Sequence, residues 1–572
     1  MGLTKILVSE SLRLGSQSMS DSILRSKLQD FHRFVGLICL LSFPAVSGAV
    51  VFEVTNAEEF QAALTAAASN GGEDQIVMNA PSFEGNFYYF AEEEFDLSIR
   101  PKDSVRTVTL DAQDKGFGLY FRGNNLKFNI SLERLIVRNA NNLAEGGAIH
   151  VSGLRGVFKL NDVDLTNNYS ASFGAAIYCD EVWKLEVLNS SITRNLGSNI
   201  VHFLGGSMYW DKVEFEENDS GYDYSLLFDY KGLAGFVLDG PALAIQDSLF
   251  RKNSSNGALF WLLSPSLVIE NSMFDQNEFQ YQMVYQSGGS LQNVLESNRF
   301  VGNVGNGYLI ELRNAGRELL FRKNRIFGAG NDSGVKIGQA GWEYFDRINI
   351  EDNLFVNAKL EIRGETLESI RILRNTMANY FGAVMVEGTK DTTVIVQNNI
   401  LKNLGDSPEI RLLDLVKASQ LLNNIVDNAE GFWISSENNI ALDPLFFDEE
   451  SFDFHLSQES PGVNAGSNEF IEEGTSIDLD GNPRIEDGTV DIGAYERSTA
   501  ALHPADANGD RSISQAEFNA YNGAWRTNEP WSSAPEIIPV DFVTRAGYLL
   551  QKGGAYKNIG VGKPATWVPV NE

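Results

Sequence analysis

The stretch "LVIENSMFDQN" spans residues 267–277 and ends on an aromatic, two polar residues and an asparagine. "FRKN" at 250–253 ends the same way, "FVGN" begins at Phe300, and Phe327 in "FGAG" and Phe355 in "LFVNA" fill the aromatic slot further on. These phenylalanines stand 24, 26, 27 and 28 residues apart. Upstream the slot is read at Phe215, Ile192, Leu165 and Ile136, and downstream at Met377 and Leu401, so ten intervals cover 265 residues with a mean near 26. A recurrence of this length is the signature of a repeat architecture, in which each unit buries its apolar face only against its neighbours.

Within a unit the patterning is that of a strand. Leu267 and Ile269 alternate with Val268 and Glu270, Asn271 interrupts, and Ser272 and Phe274 resume the alternation beyond a bend. Asn277 closes the segment. Asparagine suits such a corner because it tolerates a left-handed backbone and its amide can bond the same corner one turn away. The design returns with Asp247 in "LAIQDSLF" and with Asn298, Asn324, Asn353, Asn375 and Asn399. A leucine-rich repeat needs L-x-x-L-x-L in every unit, which is missing here, and a propeller blade needs about 40 residues. The fold expected is therefore all-β, a right-handed parallel β-helix solenoid. At ~4.8 Å per coil, about eleven or twelve coils make a rod of roughly 55 Å.

Open solenoid ends expose strand edges, so caps are expected. At the front, "VFEVTNAEEFQAALTAAASNGG" reads as a strand, a capping box from Thr55 to Glu58, and a helical cap whose Phe60, Leu64 and Ala67 or Ala68 form one apolar stripe. The expected organisation is a leader over 1–49, cap and first coils over 50–125, repeats over 126–445, a closing cap over 446–497 and a separate small module over 502–572. The opening, the coils, and the closing "SPGVNAG" (460–466) and "DIGAYE" (491–496) resemble secreted bacterial right-handed β-helix proteins of the choice-of-anchor type. That resemblance covers about residues 50–497 and implies architecture and export rather than an activity.

Acidic residues outnumber basic ones 76 to 45, for a net charge of −31, which argues against nucleic acid or an anionic membrane surface as partner. The long apolar run "FVGLICLLSFPAVSGAV" follows Arg25, Lys27, His32 and Arg33 and ends in the small residues Ser47, Gly48 and Ala49. It is too short to span a bilayer and predicts export with cleavage after Ala49, Met19 offering a second start. A secreted or cell-surface bacterial protein with no transmembrane segment in the mature chain is expected, its oligomeric state unspecified. Cys39 lies in the leader and Cys179 stands alone, so no disulfide is expected.

Residues 506–517, "DANGDRSISQAE", match the twelve-residue calcium loop. Asp506, Asn508 and Asp510 fall at positions 1, 3 and 5. Ser512 supplies a carbonyl at 7, Ser514 acts at 9 through water, and Glu517 closes bidentately at 12. Arg511 stands where glycine is usual, at a left-handed position that costs a side chain about 1–2 kcal/mol. A second amphipathic segment follows, with Phe542, Ala546 and Leu549 or Leu550 on one face, but no second loop precedes it. The pair resembles a dockerin or a single EF-hand appendage. That resemblance implies a small helical module holding one Ca2+.

The coils carry no recognised catalytic constellation. The N-T-D, D-D, G-H-G and R-I-K signatures of galacturonan hydrolases are missing. His150 and His202 lie two coils apart and read as outward polar residues; Asp223, Asp229, Asp239 and Lys231 in the longest coil are the only lyase-like cluster. "GGAIHV" (146–151), "GAAIYC" (174–179) and "NGALFW" (256–261) resemble the repeats of bacterial polymorphic outer-membrane adhesins. Tyr222, Tyr224, Tyr230, Tyr281 and Tyr285 are candidates to stack on sugar rings. The functional expectation is a carbohydrate-binding or adhesin-like protein whose partner is an extracellular polysaccharide or a cell-surface component. The alternative is a lyase or glycoside hydrolase of an acidic polysaccharide.

Overall fold

The structure is a computed structural model that describes residues 49–570 apart from 103–106, 222–224, 231–241, 264–265, 288–291, 314–316, 330–332, 339–345, 365–366, 380–383, 389–391, 404, 406, 414–417, 458, 472–476, 486–487, 498–501, 532–536 and 559–566. The leader expected over 1–49 therefore lies outside the described residues, Ala49 apart. No described helix is long and apolar enough to cross a membrane.

The chain forms a right-handed parallel β-helix of about 12 turns. One coil shows the plan. Phe260–Leu263 lies in the first wall, Leu267–Glu270 in the second and Met273–Asp275 in the third; a short strand, Glu278–Phe279, then leads back to Val284–Ser287 in the first wall. The walls pair in parallel from coil to coil, mostly without a break in register, for example Leu267 beside Leu243 and Phe274 beside both Phe250 and Phe300, with register shifts at Ser152/Leu154 and Asp180/Val182. Period-2 alternation sends Leu267, Ile269 and Phe274 inward, where all are buried.

The internal ring stack runs through Phe215, Phe250, Phe274 and Phe300, with centroids 5.8, 4.9 and 4.8 Å apart. Phe327 is not part of it. Phe300 pairs with Ile326, which in turn pairs with Phe355, so Ile326 fills the slot and Phe327 points outward against Phe452. Likewise Val137, not Ile136, aligns with Leu165. Both corrections have one cause: in a strand a one-residue slip exchanges inside for outside, and two adjacent apolar residues leave the parity open.

Two side-chain ladders hold the corners. Asn168, Asn195, Asn218, Asn253, Asn277 and Asn303 follow the third wall; Asn168 Oδ1 accepts Ala140 N–H, and from Asn195 onward each Oδ1 accepts both the backbone N–H and the Nδ2–H of the asparagine one coil earlier. The second ladder, between the second and third walls, begins on serines, with Ser248 passing to Ser272 and then Asn298. It continues through Asn324, Asn353, Asn375, Asn399, Asn424 and Asn439. Ser248, not Asp247, is the rung of its coil. The left-handed residue at each corner is the one before the rung, not the rung itself: Asp247 (φ 48°), Lys252 (φ 52°), Gln276 (φ 54°), Lys323 (φ 55°) and Arg374 (φ 55°). The ladder's buried bonds offset the cost of bending these ordinary side chains.

At the front, helix α1 (Ala57–Ala67) lies over the first coil with Phe60, Ala63, Leu64 and Ala67 buried, and Phe60 packs on Phe83 and Phe87. Its N-cap is Asn56, one residue beyond the expected Thr55; Thr55 instead donates from its backbone and hydroxyl to Glu59. Residues 446–497, expected to close the far end, run back along the third wall. Gly493 N–H bonds Asn398 O, Ala494 N–H bonds Thr376 Oγ1, and Arg325 reaches Leu479 O and Asp480. Phe446, Phe454, Leu479 and Ile492 form a second core with Leu354, Val356 and Ile400 from the outer side of that wall.

Candidate metal centre and outer-face column

Residues 506–514 form a loop leading into helix α2 (Gln515–Thr527), and helix α3 (Val540–Gln551) packs beside it around a core of Ile513, Tyr521, Val543, Ala546 and Leu549. Ser514 is the N-cap of α2 and forms a reciprocal capping box with Glu517. Asp506 organises the loop. Its Oδ1 accepts Gly509 N–H (2.8 Å), and its Oδ2 accepts Arg511 N–H (2.9 Å) and the Tyr556 hydroxyl (2.6 Å). Asn508 Oδ1 accepts Asp510 N–H, Asp510 Oδ1 accepts Ser512 N–H, and Glu517 Oε1 accepts the N–H groups of Ala507 and Asn508. Ile513 N–H donates to Gly554 O, and Ser512 bridges to Ala555, so a short strand braces the loop from behind.

Arg511 adopts the left-handed backbone the spacing calls for, at φ 59°. Its Nη1 lies 3.4 Å from Asn482 Oδ1, a contact between this module and the segment laid on the third wall. Asp506 is pushed up to about 6, first by burial and then by the nearby charges of Asp510 and Glu517, against the Tyr556 hydrogen bond. Burial also raises Asp510, with Glu517 and Asp453 adding to it. Asp506 and Asp510 are thus both raised by burial and by the negative charge around them. As they stand, no three or more His, Cys, Asp or Glu among the described residues are gathered closely enough to hold an ion. The oxygen-only donor set nonetheless fits a hard cation of the calcium type, which would need Asp506 and Glu517 to release part of their present hydrogen bonds. Spacing alone could not reveal Tyr556, which lies 50 residues from Asp506.

The outer side of the first wall carries another arrangement. Tyr88, Tyr120, His150, Tyr178, His202, the Phe228 position, Trp261 and Tyr285 occupy one register column, one residue per coil. Neighbouring rings stack, with centroids 4.5 Å apart for Tyr120 and His150, 5.3 Å for Tyr178 and His202, and 4.4 Å for Trp261 and Tyr285. Ring faces are spent on one another, so the column offers ligands edges rather than faces. Tyr285 is nearly buried and lies under Arg313, so it is no free sugar platform; Tyr281 is half exposed. Burial holds His150 and His202 down to about 4, and each imidazole Nδ1 lies beside an acceptor, Glu145 O and Asn199 Oδ1 respectively. Both are therefore neutral near pH 7. Aligning the repeats on their asparagines would have exposed this column; reading each histidine alone does not.

Beyond Tyr285 the same column turns ionic. Glu311 meets Lys336 at 3.1 Å and Arg313 at 2.6 Å, and Arg411 meets Glu430 at 2.7 Å. Tyr222, Tyr224, Asp223, Asp239 and Lys231 lie outside the described residues. Asp229 and Tyr230 belong to the strand Leu227–Tyr230, but their side chains are not described. The lyase-like cluster is consequently neither assembled nor dispersed by the structure.

No curated protein matches the chain. A family model described as "Right handed beta helix region" matches residues 175–343, the middle coils of the solenoid, which is the part of the chain where the walls, the ring stack and both ladders coincide.

Proposed function

We propose that this chain is a secreted or cell-surface β-helix protein of the carbohydrate-binding or adhesin type, with one calcium ion held by residues 506–517. The loop conformation carries the calcium reading. Asp506 at position 1 ties down position 6, Arg511 accepts the left-handed backbone, and Ser514 and Glu517 open the exit helix. Calcium, when bound, supplies positive charge to balance Asp506, Asp510 and Glu517. Asn508 and the Ser512 carbonyl are neutral oxygen donors, Ser514 acts through water, and Tyr556 orients Asp506 from the far side.

For the ligand, the half-buried members of the outer column, Tyr88, Tyr120, His150 and Trp261, supply phenol, imidazole and indole edges, whereas Tyr178, His202 and Tyr285 are buried between them; such edges suit the hydroxyls of a polysaccharide more than an anion, given the surrounding negative charge. Fold supplies no activity by itself, so a lyase or hydrolase reading has to rest on chemistry the described residues do not assemble. Calorimetry with calcium on the intact chain tests the metal reading: wild type is expected to give a saturable heat, and Glu517→Gln to weaken it at least about tenfold. No heat at millimolar calcium overturns it. A glycan array run beside a reducing-end and unsaturated-product assay tests the ligand, and sustained cleavage of a uronic-acid polymer overturns the binding reading.

A further inference from the structure

We propose that Arg511 is a docking arm through which the calcium loop grips residues 477–485 of the segment laid on the third wall, so that calcium binding steadies that segment; this coupling rests on the calcium reading above. Arg511 faces two ways. Its backbone N–H turns into the loop, 2.9 Å from Asp506 Oδ2, while its side chain leaves the loop and brings Nη1 to 3.4 Å from Asn482 Oδ1. Nη2 is shut off from solvent and has no hydrogen-bond partner among the described residues, so that end of the guanidinium lies inside the junction rather than on its rim. A left-handed backbone at φ 59° is strained for any side chain and relaxed for glycine. What the arginine reaches, rather than what the loop needs, accounts for its presence at this position.

Asn482 belongs to a turn that is tied down. It is buried, its N–H donates to Asp478 Oδ1 at 2.7 Å, and its carbonyl accepts Asp478 N–H at 2.8 Å. Asp478 Oδ1 also accepts Asp480 N–H, and Asp480 receives Arg325 of the third wall and His455 of the hairpin formed by Phe446–Asp448 and Asp453–Leu456. Direct contacts therefore run from Asp506 through Arg511 and Asn482 to Arg325. Charge gives the coupling its sign. Beyond burial and Glu517, the charge of Asp453 helps to raise Asp510, so hairpin and loop carboxylates stand on the two sides of one junction. Docking brings Asp453 toward Asp506, Asp510 and Glu517, and calcium in the loop offsets two of the negative charges that oppose this approach. A ligand shifts a conformational equilibrium only by binding one state better than the other, and this difference in charge makes calcium favour the docked state. By reciprocity, the docked segment tightens calcium binding.

Hydrogen exchange on the intact chain with and without several millimolar calcium, run beside calorimetry, tests this. The amides of Asp478, Leu479, Gly481 and Asn482 are hydrogen-bonded within residues 446–497, so their exchange reports the opening of the segment. In the wild type, calcium should slow exchange over 477–485 at least about fivefold. Arg511→Gly should still give a calcium heat and still slow exchange in α2, because glycine suits the position, yet leave 477–485 unresponsive. Asn482→Ala, which leaves the loop untouched, should weaken calcium binding by about the factor lost from the exchange. A calcium heat with no slowing over 477–485 in the wild type overturns the coupling and leaves the calcium reading standing. Slowing that survives Arg511→Gly, or a calcium affinity unchanged in Asn482→Ala, also overturns the coupling. No heat in the wild type overturns the calcium reading, and the coupling with it.

Discussion

The two halves of the solenoid share walls, slot and the ladder between the second and third walls but close their outer third side differently. In the near half, residues flanking the slot are mostly polar or partly exposed: Glu214 and Glu216 about Phe215, Leu249 and Arg251 about Phe250, Met273 and Asp275 about Phe274. A seven-stranded sheet of two-residue strands, from Asn141–Asn142 to Val304–Gly305, completes that corner. In the far half the flanks become Leu354 and Val356 about Phe355, all buried, and the short sheet ends. Residues 446–497 take over, fixed by ions where the near half uses amides. Arg374, itself 1 % exposed, holds Asp352 through Nε at 2.9 Å, Glu351 through Nη2, and Phe470 O through Nη1 at 2.7 Å. Repetition closes the first half locally, whereas the second half depends on a segment some 100 residues further along the chain.

The largest effect that separates the halves belongs to the slot, which both share. Phe300→Ala is expected to cost about 3–5 kcal/mol, because it removes a ring stacked 4.8 Å from Phe274 and leaves a cavity that two flanking coils cannot fill. Phe327→Ala, one coil later but facing out, should cost under about 1.5 kcal/mol, since its ring is only partly covered. Chemical denaturation of the two variants checks the parity assignment, and equal losses would mean that Ile326 does not own the slot.

Next in size is the ionic anchor peculiar to the far half. Arg374→Met leaves Asp352 buried beside Arg484 alone, whose Nε stands 3.6 Å from Asp352 Oδ1. Removing one partner of a buried pair typically costs about 3 kcal/mol, because the remaining charge stays desolvated. Hydrogen exchange should locate the loss over residues 440–497 and the coils from 350 onward, leaving the coils before 305 protected, since solenoid coils contact only their neighbours. Uniform deprotection would show that the tail is integral to the whole solenoid.

Legibility in the sequence followed the same division. The solenoid was readable because its contacts recur: one spacing fixes each coil against the next, and the asparagines mark the corners even where the slot residue changes from Phe to Ile, Met or Leu. Parity was not readable at Ile136 and Phe327, where Ile136–Val137 and Ile326–Phe327 are adjacent apolar pairs that fit either register. The calcium-type loop could be laid out position by position because its spacing is local. The lateral course of 446–497 had no such signal. Arg325 with Asp480 and Arg374 with Phe470 are single long-range contacts, and a single contact has no period. The one local hint was the change of slot flanks from Glu214 and Glu216 to Leu354 and Val356, apolar residues that a bare outer wall could not leave in water.

The smallest effect is electrostatic and tests whether ions also time the tail's attachment. His455 sits between Asp453 and Asp480, with Nδ1 and Nε2 turned to one carboxylate each and Tyr495 against its ring at 4.2 Å. Burial opposes the imidazolium, but the hydrogen bonds and charges of the two aspartates outweigh it and raise His455 to about 10. Burial opposes the Asp480 carboxylate too, yet His455 and Arg325 hold it down to about 2. A raised histidine contributes stability that is complete below about pH 6.5 and is lost as pH climbs through 10. A depressed aspartate contributes stability that is complete above about pH 3.8 and is lost as pH falls through 2. Attachment is therefore firmest between about pH 4 and 6.5. With both side chains about one-third exposed, solvent screening reduces the change between pH 6 and pH 9 to the order of 1–2 kcal/mol. The melting temperature of the far half should drop across that interval in the wild type, and His455→Gln should remove most of the drop. A variant that keeps the wild-type pH profile would place the titration elsewhere and leave Arg374 and the buried Asp352 as the principal ionic hold on the tail.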